Sequence, residues 1–366
     1  MNRRYEFRYN TQIGEVEYRE RFSFQFYFHP IDKRAQNSIM LDAQSEGIGV
    51  WDRDIDRYLH SNRVPIYNPL EEFLFHLPHW DGKDRIHALA NRVPCKNPHW
   101  ELLFHRWFLN MVSHWRGVDK MHANNTSPIL VGRQGTHKST FCREMIPPAL
   151  RAYYTDSIDF SHKRDAELYL NRFALINIDE FDQITLPQQG FLKHILQKPV
   201  VNLRKPHGRS VLELQRYASF IGTSNQKDLL TDPSGSRRFI CIEVTGNIDT
   251  TQPIDYEQLY AQAMHEISHG ERYWFNDADE YVMTEANREF QQYSPEEQFL
   301  FRYFRMAEAG EEGEWMAPAE ILKILHQEVD IPLNAKRVAA FGRILRKQGI
   351  PSRHTRKGTV YQLVRA

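Results

Sequence analysis

The middle of this sequence predicts an α/β fold on a parallel sheet, and three observations carry the expectation. Between Ser127 and about Thr245, short apolar runs alternate with stretches of helical composition, the pattern of strands joined by crossover helices. The run Pro128-Ile129-Leu130-Val131 feeds a glycine-containing loop and then a helical segment, Phe141 to Met145. A second run, Phe173 to Ile178, ends in adjacent carboxylates at Asp179 and Glu180, placed where the carboxyl end of a core strand carries chemistry. Around this core the sequence divides into a small α+β N-terminal region (1–65), a helical connection (66–126), the core (127–275) and a helical linker with a basic winged-helix-like C-terminal domain (276–366).

In the N-terminal region, Tyr5-Glu6-Phe7-Arg8-Tyr9 and Glu15-Val16-Glu17-Tyr18-Arg19 flank a turn from Asn10 to Gly14, a hairpin signal. Phe22, Phe24, Phe26 and Phe28 alternate with Ser23, Gln25 and Tyr27, which predicts a strand with phenylalanines on one face. Such a face packs into a core more often than it stacks bases, so a core strand is expected. A short helix is expected near Asp52–Ser61, then a Pro-rich passage from Val64 to Asp84 broken at Asn68-Pro69, Leu77-Pro78 and Trp80-Asp81-Gly82. Leu103, Trp107, Phe108, Met111 and Trp115 form a helical stripe over Trp100–Trp115. The histidines nearby (His79, His87, His99, His105, His114, His122) lack HExxH spacing, so packing and surface roles are expected rather than a metal site.

The chain has 366 residues, room for two or three domains, and its 47 basic and 47 acidic residues cancel. Any surface for DNA must therefore be local. Three cysteines, Cys95, Cys142 and Cys241, without a CxxC pair, argue against a disulfide framework or zinc knuckle and for a reducing compartment. With no apolar run of membrane-spanning length and no signal-peptide stretch behind Met1, a cytoplasmic protein without a membrane partner is expected. The neutral total conceals a basic tail, since residues 331–366 hold nine Lys or Arg and no Asp or Glu.

The loop after the first core strand reads Gly132-Arg133-Gln134-Gly135-Thr136-His137-Lys138-Ser139-Thr140. A glycine loop followed by Lys-Ser at a helix start wraps phosphate oxygens with backbone N–H groups. Lys138 then offsets the β- and γ-phosphates of ATP and Ser139 binds Mg²⁺, with Gly132, Gln134, Gly135, Thr136, His137 and Thr140 completing the cradle. His137 stands where the usual pattern has glycine, and puts a side chain beside the phosphates. Asp179 is placed to hold the Mg²⁺ through water and Glu180 to orient the attacking water. A third strand, Ala218 to Asn225, ends in an amide suited to meet the γ-phosphate or the water, the role called sensor 1. Arg237 and Arg238 follow in a Gly/Ser turn, suited to reach a neighbouring subunit's γ-phosphate. Four elements in this order indicate a P-loop NTPase and single out Lys138, Asp179, Glu180, Asn225, Arg237 and Arg238 as catalytic candidates.

The series GRQGTHKST, LINIDEFD, RKPHGRS, SFIGTSN and DPSGSRRF, with the upstream YNPLEEFLFHLPHWDGKDRI, resembles the virulence-associated protein E family. That family belongs to phages, pathogenicity islands and conjugative elements, and its core is similar to the superfamily 3 helicases. The resemblance runs from about Asn68 to Thr245. It implies an AAA+-like core, ATP-driven DNA unwinding or replication initiation, and a homo-oligomer in the form of a hexameric ring. It carries Lys138 and Ser139 onto the phosphate-loop pair, Asp179 and Glu180 onto the acidic pair, Asn225 onto the sensor and Arg237/Arg238 onto the finger, while His137 does not match. By the same likeness, Leu203 to Ser210 is a basic hairpin tip that tracks DNA inside the ring, with Lys205, His207 and Arg209 on phosphates.

The tail reads as a winged helix from its own residues. Pro318–Val329 and Asn334–Gln348 are expected as helices, and Ser352–Arg356 with Thr359–Val364 as a hairpin around Lys357-Gly358. Arg343, Arg346 and Lys347 then lie on the side of the second helix presented to a major groove. The expected function is an ATP-dependent DNA helicase or replication-initiation ATPase acting on single-stranded or forked DNA. Two alternatives come from other classes. One is a nucleotide-switched DNA-binding protein that barely hydrolyses ATP, which His137 favours; the other is an AAA+ ATPase of defence or signalling that remodels protein.

Overall fold

The structure, a computed structural model, describes residues 3–24, 26–117, 119, 121–203, 212–230, 237–292, 295–307, 311–329, 334–356 and 358–366. The chain forms two compact units, Met1–Phe290 and Gln291–Ala366.

The first unit opens with the antiparallel hairpin β1 (Tyr5–Asn10) and β2 (Glu15–Glu20), in which Tyr5 stands opposite Glu20. β3 (His29–Pro30) joins β2; α1 (Lys33–Ser45), α2 (Asp52–Leu59) and β4 (Ile66–Tyr67) follow, and β4 pairs in parallel with β1. Asp32 starts α1 by accepting a hydrogen bond from the Ala35 N–H. Tyr5, Phe7 and Val16 meet Ile39, Ile55 and Leu59 in a small core, the period-two face of a strand pair against the helical faces.

The phenylalanine run departs from expectation. Residues 21–24 and 26–28 form turn, bend and coil rather than strand, and Phe22, Phe24 and Phe26 are 89%, 97% and 73% exposed. Pairing explains the difference. His29 and Pro30 lie against Tyr18 and Glu17, so the intervening segment has to reverse the chain and is not free to run on as a strand. Phe28 instead receives the Arg8 and Arg19 guanidiniums over its ring, 3.9 and 4.7 Å from the centroid.

α3 (Pro69–Phe75), α4 (Arg85–Ala90) and α5 (Trp100–Trp115) connect this region to the core. α5 has the bounds its apolar stripe predicts, and it is buried nearly all round. Its tryptophans strand no donor, because Trp100, Trp107 and Trp115 give their indole N–H groups to the carbonyls of Ala90, Phe220 and Ala174.

The core comprises β5 (Ser127–Val131), α6 (Lys138–Glu144), β6 (Tyr154–Thr155), α7 (Lys163–Arg172), β7 (Leu175–Ile178), α8 (Leu186–Leu196), β8 (Val200–Leu203), β9 (Leu212–Gln215), β10 (Ser219–Ser224) and β11 (Phe239–Glu243). Among the described residues, five strands pair in parallel in the order β11-β5-β10-β7-β6. Leu130, Leu175, Ile221 and Ile240 pack on one face, and Ile129, Ile176, Phe220 and Phe239 on the other. Both faces are covered, which is why these strands read as near-continuous apolar runs. β8 and β9 pair antiparallel, with Leu203 opposite Leu212. α9 (Tyr256–Ser268), α10 (Asp277–Ala286) and a 3-10 turn, Asn287–Phe290, complete the unit. Buried Asn287 accepts from the Cys241 N–H at 3.2 Å and donates to the Phe239 carbonyl at 2.7 Å, covering the outer edge of β11.

Buried polar groups close the amino end of the sheet. Arg216 is fully buried and donates to the carbonyls of Ala218, Ile195, Leu196, Lys198 and Asn124. Burial pulls its pKa down to about 9. Asn124 donates its amide to Ser219 Oγ at 2.8 Å and its backbone N–H to His114 Nε2 at 2.8 Å. Burial, aided by the Arg216 charge, pushes His114 down to about 3, so its ring is neutral at pH 7.

The second unit holds α11 (Pro295–Tyr303), β12 (Phe304–Arg305), β13 (Glu314–Met316), α12 (Pro318–Val329), α13 (Ala335–Lys347), β14 (Ser352–Thr355) and β15 (Gly358–Arg365). β15 pairs antiparallel with β12, β13 and β14. Leu300, Ile321, Leu325, Phe341, Leu345 and Tyr361 form its core. The two helices and the hairpin expected of the tail are present. Val282 to Glu312 is acidic and holds the end of α10, the 3-10 turn and α11, but turns to strand at Phe304–Arg305, where β15 supplies a pairing partner. No helix among the described residues is long and apolar enough to cross a membrane.

Candidate functional site

The chain leaves β5 at Gly132, where a Cβ would stand 3.0 Å from the Val244 carbonyl oxygen, so a larger residue would force the loop away from the end of β11. Gly135 (φ +84°) and His137 (φ 65°) take left-handed backbone on either side of Thr136, and such alternation turns successive N–H groups toward one point. Left-handed backbone costs a non-glycine residue roughly 1–2 kcal/mol, so His137 holds its place against strain. Lys138 is buried, and its Nζ donates to Gly132 O (2.7 Å), Arg133 O (2.8 Å), Thr136 Oγ1 (3.5 Å) and Asn225 Oδ1 (3.2 Å). Burial lowers its pKa, while Asp179 and Asp182 work against that shift.

Asp179 follows β7, and its Oδ1 accepts from Ser139 Oγ at 3.0 Å and from Thr223 Oγ1. Glu180 is the second left-handed non-glycine residue (φ 53°, ψ 51°) and opens the 3-10 turn Phe181–Gln183, anchored by buried Phe181 edge-on to Phe239. β10 lies between β5 and β7, so Asn225 at its end stands between the lysine and the carboxylates. Gln134, Gly135, Thr136, His137, Lys138, Ser139, Thr140, Asp179, Glu180, Thr223 and Asn225 line one cleft of about 310 Å³. From β5 the chain crosses to β6 at one edge, returns through β7 and β10, and finishes on the other side of β5. The cleft thus lies at the carboxyl ends of the strands beside the reversal of strand order, where open parallel sheets bind ligands. Its donors, a hydroxyl and carboxylates beside a cation, suit a phosphate and a hard cation such as Mg²⁺ rather than a thiophilic metal. The sequence reading missed Thr223; its one signal is a hydroxyl two residues before Asn225 at the end of an apolar strand.

The remaining candidates lie elsewhere. Arg237 and Arg238 precede β11, whose Phe239 stands level with Ser127 and whose Glu243 with Val131. They are therefore at the amino end of the sheet, roughly 20 Å from the loop at about 3.3 Å per residue, and Arg237 pairs with Glu280 at 2.8 Å. Lys205, His207 and Arg209 fall outside the described residues, on the connection between β8 and β9. In the second unit, Arg343 and Arg346 are exposed on α13 along one stripe with Ala335 and Ala339. Lys347 ends that helix, with its side chain outside the described residues.

Fold and cleft define the class: an α/β protein whose parallel sheet gathers a glycine loop, a lysine, hydroxyls and carboxylates at the carboxyl ends of its inner strands. The chain belongs to the virulence-associated protein E-like family, whose domain model matches residues 74–292. Residues 293–363 match a second family, a domain of unknown function from a B. Theta gene description. Solved apo structures of the NrS-1 C-terminal region resemble the chain at 12% identity, covering 100% of this chain and 97% of theirs, with TM-scores of 0.49, 0.48 and 0.47. A search of curated proteins finds no match.

Proposed function

We propose that this protein is an ATPase of the replication-initiation or helicase kind, serving a mobile genetic element and acting on DNA as a homo-oligomeric ring. The carrying observation is the convergence of Lys138, Ser139, Asp179 and Asn225 on one cleft behind a loop of alternating hand. That convergence supports a P-loop NTPase core of AAA+ type. Lys138 would leave its carbonyl partners for the β- and γ-phosphates of ATP. Ser139 and Asp179 would hold Mg²⁺, which supplies positive charge against the phosphate oxygens when bound. Glu180 would orient the attacking water, and Asn225 would hold the γ-phosphate end. Arg237 and Arg238, too far from their own cleft to serve it, would act on the cleft of a neighbour in a ring. The exposed Arg343 and Arg346, beside small Ala335 and Ala339 on a helix followed by a hairpin, fit the groove-facing surface of a winged-helix-like domain. Family membership supports the mobile-element setting, and the basic Lys205, His207 and Arg209 would track DNA within the ring.

Hydrolysis of Mg·ATP and unwinding of a forked duplex by wild type, Lys138→Ala and Glu180→Gln test the proposal. Lys138→Ala is expected to fall to background with its circular dichroism unchanged, and Glu180→Gln to bind ATP without turning it over. Wild-type rates in Lys138→Ala would remove the reading. A second reading, a nucleotide-dependent DNA-binding switch, draws on the strained His137 beside the phosphates. Its signature is ATP binding that alters DNA affinity with no turnover by wild type.

A further inference from the structure

We infer that Asp182 is a positioning residue for the hydrolytic step, tying the turn that carries Glu180 to the strand end that carries Asn225; the inference rests on the ATPase reading above. Asp182 lies in the 3-10 turn that Glu180 opens. Its Oδ1 accepts from Ser224 Oγ at 2.8 Å and from the Asn225 backbone N–H at 3.4 Å. Ser224 is buried, and its single hydroxyl proton has two acceptors at 2.8 Å, Asp182 Oδ1 and the Gln226 carbonyl. A carboxylate is the stronger acceptor, so the proton favours the cross-link to Asp182.

Two rungs then join the acidic segment to the sensor segment, Thr223 to Asp179 and Ser224 with Asn225 to Asp182. The first rung acts on a group of the cation site itself. The hydrogen bonds of the second go to neither phosphate loop nor cation donors, yet they fix the residues on both sides of the space where water must sit. Phe181 is buried between these rungs, and a Cβ at Gly222 would come within 3.6 Å of its ring, so the two segments already pack at close range. Asn225 Oδ1 also meets Lys138 Nζ. Loss of the second rung therefore frees Asn225 and Glu180 to shift against each other while the phosphate loop stays formed. Displacement of that kind falls on the rate of the chemical step more than on nucleotide affinity.

The test uses the full chain as wild type, Asp182→Ala, Asp182→Asn, Ser224→Ala and the Asp182→Ala/Ser224→Ala double variant. It records kcat and KM for Mg·ATP, the Kd of a fluorescent ATP analogue, and the thermal midpoint of each protein. Asp182→Ala is expected to lose about tenfold to a hundredfold in kcat while its Kd stays near the wild-type value. Asp182→Asn keeps an oxygen acceptor and should recover most of the loss. Ser224→Ala should lose about fivefold, and the double variant should be no slower than Asp182→Ala, because both remove one link. Should Asp182→Ala fail to fold, Ser224→Ala carries the test, and an unchanged kcat there overturns the inference. Independent, multiplying losses in the double variant overturn it as well, as does a kcat unchanged beside a weakened Kd. If wild type fails to hydrolyse ATP, or Lys138→Ala matches it, the ATPase reading falls and takes this role with it. Normal turnover by wild type with unaffected Asp182→Ala sinks the positioning role alone.

Discussion

At the amino end of the parallel sheet, Arg216 is wholly buried and donates to five backbone carbonyls. At the carboxyl end, Lys138 is buried as well and donates to the carbonyls of Gly132 and Arg133. The two cations share a kind of partner and differ in what adjoins them. Two of the carbonyls on Arg216 end α8, the negative pole of a helix, and its hydrogen bonds are directed wholly into protein. Lys138 lines the 310 Å³ cleft and also reaches Asn225, itself exposed. A buried cation on carbonyls is thus a fastening where the chain closes around it, and a candidate ligand group where it can exchange those carbonyls for phosphate.

The largest expected effect would break this division, because it places catalysis at the amino end. Arg237→Ala or Arg238→Ala should lower ATP turnover by about 10³-fold with nucleotide affinity nearly unchanged. Mixing either variant with Lys138→Ala should restore part of the rate, since mixed rings contain some intact interfaces. No rescue at any ratio, with a monomeric mass under ATP, would remove the ring.

Next comes the fastening itself. Arg216→Met leaves five carbonyls without their donor and should lower the unfolding free energy by about 3–5 kcal/mol in urea titrations. Nucleotide affinity of the folded fraction should hold. A loss below about 1 kcal/mol would show that Arg216 does not close this end of the sheet.

The smallest effect sharpens the same end through pH. The folded pKa of His114, about 3, lies below its unfolded value of 6.5, so the unfolded chain binds more protons once pH drops below 6.5. The stability this contributes is complete above that pH and is lost on acidification, by about 2 kcal/mol at pH 5. His114→Gln keeps an acceptor for the Asn124 N–H and should flatten this part of the pH profile in thermal melts.

What was legible in the sequence follows from how local each signal is. α5 and the helices of the tail announce themselves through the periodicity of their own residues, and the core strands β5, β7 and β10 through continuous apolar runs. The glycine loop that lines the cleft was legible because its residues are contiguous, from Gly132 to Thr140. The run from Phe22 to Phe28 misled because alternation describes a strand only if a partner is available, and β3 had already taken the edge of β2. Thr223, Asp182 and Arg216 gave no signal, since a lone polar residue acquires meaning from groups far along the chain, 42 positions away for Asp182 to Ser224 and 92 for Arg216 to Asn124.

The edges of the core sheet bear on how copies of this protein can meet. Exposed strand edges are templates on which sheets join edge to edge and grow into fibres. Here β6 is two residues long at one side, and at the other the Asn287 side chain occupies the Phe239 carbonyl and the Cys241 N–H. A neighbour therefore finds little backbone ladder to extend. It has to engage through side chains, such as the arginine pair ahead of β11, and bonds of that sort loosen with salt and with the charge of a bound nucleotide. Closing the edges in this way would keep association of copies reversible, as the proposed ring on DNA would need.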